Sequence, residues 1–212
     1  MSNHLAIAAV TATLQDRLLS CAAKEIPGAT VVATRPDGNR QAEPGPGINV
    51  FLYEVVTNPF LNNDDLPTRS RDGTFVNRPL AALDLHYLLT FNGKDNSLEP
   101  QRLLGAVIVE LTRRPFLAAD EVRRSIETRS HLEGEDPAWQ AEPIILTPLN
   151  LDLEELSRLW SVLMHQPYSL SLQYQATVIL LQGDEPVTVS RPVSERNIHT
   201  SASMSPTVGG VR

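Results

Sequence analysis

The strongest chemical pair in this sequence is Asp64-Asp65, two adjacent carboxylates in a long polar segment. Such a pair can hold a cation, or divide acid and base work at one site. An enzyme built on it would add His86, the histidine best placed near a core, and would need all three groups in one concave pocket. A simpler reading is available. Asp64, Asp65 and Asp72 balance Arg69, Arg71 and Arg78 within the same segment. Arginine forks pair well with carboxylates, and such pairs order a loop or join two subunits. That reading is preferred here, and no catalytic, metal or cofactor site is assigned.

Other chemistry finds little support. The histidines are His4, His86, His131, His165 and His199, and no two share the three- to five-residue spacing of a helical metal site. Cys21 is the single cysteine, so a disulfide within the chain is impossible and a cysteine-built zinc site is disfavoured. Its place on the apolar side of a helix predicts a buried, unreactive thiol. Gly93-Lys94 lacks the glycine and hydroxyl of a phosphate loop. Gly45-Pro46-Gly47 precedes a strand, where a dinucleotide loop would follow one.

The elements that hold these residues read as one α/β (α+β) domain of average composition. The chain has 212 residues, 42% apolar and 20% charged, with net charge −7. An acidic chain argues against nucleic acid as a partner. The arginines between Arg102 and Arg129 lie among carboxylates and read as mixed-charge helix surface. No apolar run reaches the ~18–20 residues of a membrane helix, so membrane insertion is not expected. The first residues lack the basic start of a signal peptide, so synthesis and assembly are expected in the cytoplasm.

Periodicity supplies the elements. Asn3–Ala23 predicts a helix, with Ile7, Val10, Leu14, Leu18 and Cys21 on one face and Asp16, Arg17, Ser20 and Lys24 elsewhere. Ile26-Pro27-Gly28 ends it. Ala29–Thr34 predicts a short strand. Ile48–Val56, apolar on both faces, predicts a strand central in a sheet. Thr57–Pro79 is a long irregular segment, of a length that is often functional. Leu80–Phe91 predicts a strand with Leu83, Leu85, Tyr87, Leu89 and Phe91 on one face. Ser97 is the expected cap of a helix buried through Leu103, Leu104, Val107, Ile108 and Leu111. A weaker helix spans Ala119–Thr128, and Ile144–Pro148 suits a strand. Asp152 with Glu155 forms a capping box before a helix buried through Leu156, Leu159, Trp160 and Leu163. Ser169–Leu181 alternates strictly, with Leu170, Leu172, Tyr174, Ala176, Val178 and Leu180 on one face.

The sheet is therefore expected to be mixed, largely antiparallel and flanked by helices. Residues 1–185 form the domain and 186–212 an extended arm. The arm holds scattered apolar residues in a Ser-, Thr-, Pro- and Gly-rich stretch. Those cannot offset ~1–2 kcal/mol of backbone entropy per residue within a monomer. It is expected to be disordered or ordered by a partner.

Several long motifs occur in order. They are Asn49-Val50-Phe51-Leu52-Tyr53, Asn58 through Arg69, Arg71-Asp72-Gly73, Asn77-Arg78-Pro79, Leu83 through Phe91, Leu153 through Trp160, and Pro167 through Gln175. Together they resemble the cap, or tail-terminator, proteins of contractile injection systems, phage-tail-like particles with a tube inside a contractile sheath. The resemblance covers about Asn3 to Leu181. It implies a homo-hexameric ring at the distal end of tube and sheath, which stops polymerisation and stabilises the extended state. Sheath and inner-tube proteins are the implied partners, in a particle that is released or membrane-associated. Asp64, Asp65, Leu66, Arg69, Arg71, Asp72 and Arg78 in the loop, and Val187, Val189, Arg191 and Val193 in the arm, are the expected contacts. Another particle component, a baseplate or tube adaptor, is the nearest alternative, ahead of a small-molecule enzyme.

Overall fold

The computed structural model describes residues 4–36, 45–61, 80–134, 143–163 and 169–182. Helix α1 (Ala6–Glu25) comes first. Strands β1 (Thr30–Val32), β2 (Gly47–Thr57) and β3 (Leu80–Asn92) follow. Helix α2 (Glu99–Arg113), strand β4 (Phe116–Leu117) and helix α3 (Ala119–Glu127) come next. Strand β5 (Ile144–Leu149), helix α4 (Leu153–Val162) and strand β6 (Ser171–Gln182) complete the order. The sheet runs β1-β2-β3-β6-β5-β4. Only β1 and β2 are parallel, so the mixed, largely antiparallel sheet is as expected.

Helix α1 is the hub. Val10, Leu14 and Leu18 pack in one cluster with Ile48, Val50, Tyr87, Leu89 and, from α2, Leu103 and Val107. Ala9 and Ala12 pack in a second cluster with Val122 and Ile126 of α3, and with Leu132. The helix is thus buried on two faces, where the periodicity showed one. At its end Pro27 cannot continue the helix, and Gly28 takes a φ of +86°. Arg17, expected at the surface, is buried. Its guanidinium donates to the Arg114 carbonyl at 2.9 Å and pairs with Glu121. These partners, far away in sequence, make its burial tolerable.

Ion pairs knit the helices. Arg102 meets Glu25 at 2.9 Å and Arg129 meets Asp16 at 2.5 Å, joining α2 and the end of α3 to α1. Arg113 and Arg114 share Glu110 within α2.

Expectations at α2, β2 and β6 also need correction. Ser97 does not cap α2; its hydroxyl donates to the Lys94 carbonyl at 3.3 Å. The N-cap is Leu98, in the left-handed region at φ 53° with no side-chain cap. The Glu99 carboxylate instead accepts from the Lys94 N–H at 2.8 Å. In β2, only Gly47–Val50 is fully buried; the outer half is part-exposed. The reason is β1, which covers only Gly47–Asn49, so β3 and β6 are the central strands. In β6, a register shift opposite Leu83–Leu85 inserts an extra residue after Ala176. Ile179 then joins the core cluster and Leu181 packs against it, in place of Val178 and Leu180. The capping box at α4 forms as predicted: the Asp152 carboxylate accepts from Glu155 N–H at 2.8 Å, and Glu155 from Asp152 N–H at 3.0 Å.

Candidate assembly surface

All the expected contact residues lie outside the described residues: Asp64, Asp65, Leu66, Arg69, Arg71, Asp72 and Arg78 in the loop, and Val187, Val189, Arg191 and Val193 in the arm. What the structure does describe is how the loop leaves β2.

Asn58 directs that exit. Its backbone N–H donates to the Ala82 carbonyl at 2.8 Å and extends the ladder with β3 by one residue. Its side-chain oxygen then accepts from the N–H groups of Phe60 at 3.0 Å and Leu61 at 3.1 Å. This is a side-chain-closed turn, and Pro59 inside it offers no competing donor. The Asn58 amide N–H group donates to both oxygens of Asp84, each at 3.1 Å. Gln175 on β6 adds a third bond to Asp84 at 3.0 Å. Asn58 and Asp84 are both buried. A buried carboxylate fixed by three donors therefore fixes the amide that shapes the turn. The turn presents Phe60 with 86% of its surface exposed. Sequence reasoning passed over this group in favour of the charges beyond it, although an Asn-Pro pair directly after a strand is a turn signal.

His86 lies on β3, where its Nδ1 is 2.8 Å from the Glu54 carboxylate on β2 and its ring 6.0 Å from that of Tyr53. Tyr53 is the extra residue of a bulge in β2. His86 is thus a hydrogen-bonded strand residue. Among the described residues no group of three histidine, cysteine or acidic side chains is arranged to hold a metal ion. Nor is any helix among them long and apolar enough to cross a membrane.

Two grooves mark the helices. One, of about 450 Å³, runs between α1 and α2 over Cys21, Gly105 and Ala106, and carries charges from both helices. Cys21 is therefore half-buried at a groove, where burial in the core was expected. Burial, with the charge of Glu110 nearby, pushes its thiol pKa up, so the thiolate is scarce. The second groove, of about 410 Å³, lies along α4 and is lined by Leu153, Leu156, Ser157, Trp160 and Ser161.

A six-stranded mixed sheet, with α2 and α3 packed on α1, defines an α+β domain. The chain belongs to the Pvc16 N-terminal domain family, whose model matches residues 8–195. Two solved structures are similar. One is the PVC sheath/tube terminator, in the extended state, of an extracellular contractile injection system. It is 16% identical with a TM-score of 0.51, and 91% of this chain covers 64% of that one. The other is the tube-terminating cap of the anti-feeding prophage, 18% identical with a TM-score of 0.52, where 88% of this chain covers 60% of that one. The chain thus spans less than two thirds of either relative. No curated protein sequence matches it.

Proposed function

We propose that this chain is a structural, non-catalytic subunit of a contractile injection particle that closes the distal end of its tube and sheath as a homo-hexameric ring. The carrying observation is a fold shared over about nine tenths of the chain with two terminators of such particles. The physical logic is that a growing polymer end exposes unpaired backbone and apolar surface, which a ring must cover. On this chain, the β2 edge beyond Asn49 has no strand partner among the described residues and offers donors and acceptors for that purpose. The loop with Asp64, Asp65, Leu66, Arg69, Arg71, Asp72 and Arg78, and the arm with Val187, Val189, Arg191 and Val193, are the proposed contacts. Assembly takes place in the cytoplasm before the particle is released or docked. Domain and arm divide at residues 185 and 186 in this reading.

Electron microscopy of particles made with and without the gene tests it. The expected result is a ring at the end opposite the baseplate, and tubes of uncontrolled length when the gene is absent. Label found at the baseplate end, or a protein that never co-purifies with tube or sheath, would refute it. Within that assay Arg71→Glu should reduce incorporation while leaving the purified protein folded.

A further inference from the structure

We draw no further inference here: the strongest candidate, the groove of about 450 Å³ between α1 and α2, whose wall holds the buried Arg17 with an Nε that has no hydrogen-bond partner among the described residues, carries none because nothing in the structure shows what fills it.

Discussion

Asp84→Ala removes the acceptor on which the loop exit depends. Three donor bonds end on its carboxylate: two from the Asn58 amide at 3.1 Å and one from Gln175 at 3.0 Å. Asn58 is 5% exposed, so water cannot replace its lost partner, at a cost of about 1–3 kcal/mol for an orphaned buried donor. Gln175 is half-buried and can turn toward solvent, so its share is about 0.5–1 kcal/mol. Deleting a buried carboxylate also ends its own desolvation cost, which offsets part of the loss. The net destabilisation is about 2–3 kcal/mol, or roughly 4–12 °C in Tm for a chain of this size. Urea unfolding followed by tryptophan fluorescence measures it. Hydrogen exchange supplies the local readout. With Asn58 released, the amides of Phe60 and Leu61 should lose protection, while those of α1 Leu14 and Leu18 change only by the global amount. A change in stability under ~0.5 kcal/mol, or unchanged exchange at Phe60 and Leu61, would refute the account of the turn.

Two further substitutions probe the helices. A methyl group added at Gly105, in the interior of α2, meets no atom within 4 Å. Gly105→Ala should therefore stabilise the isolated chain by about 0.5–1 kcal/mol in urea unfolding, through helix propensity alone. Asp16 concerns pH. Burial raises its pKa, but hydrogen bonds from Arg129 and Ser125 outweigh that and hold it below the ordinary carboxylate range. A depressed folded pKa gives stability that is present above the unfolded value near 4 and is lost as pH falls through the folded one. The stability gap between the parent chain and Asp16→Asn should accordingly be open at pH 7 and close below about pH 4, measured by urea midpoints across that range.

Long periodic elements carried the fold in the sequence. Strands β3 and β6 and helices α1 and α2 repeat often enough for a period to be counted. What escaped was set by partners distant in the chain. Arg17 is charged and reads as surface, yet its guanidinium finds the Arg114 carbonyl and Glu121 about a hundred residues on. Ala9 and Ala12 are too small to mark a face, but α3 comes close because they are small. Cys21 sits fourteen residues past Ile7, and at 3.6 residues per turn that falls short of four turns by about 40°. This rotates the thiol off the core stripe toward the groove beside α2. Strand β4, two residues long, shows no period at all.

The turn that follows β2 was obscured in the sequence by the charges beyond it. A long charged segment draws attention because ions stand out by residue type, so Asp64 and Arg71 were singled out. A phenylalanine in the same segment reads by default as a core residue. Only the geometry reverses that default. Asn58 spends both ends of its amide, the N–H group on Asp84 and the oxygen on the backbone of Phe60 and Leu61, and so the polar network faces inward and the ring outward.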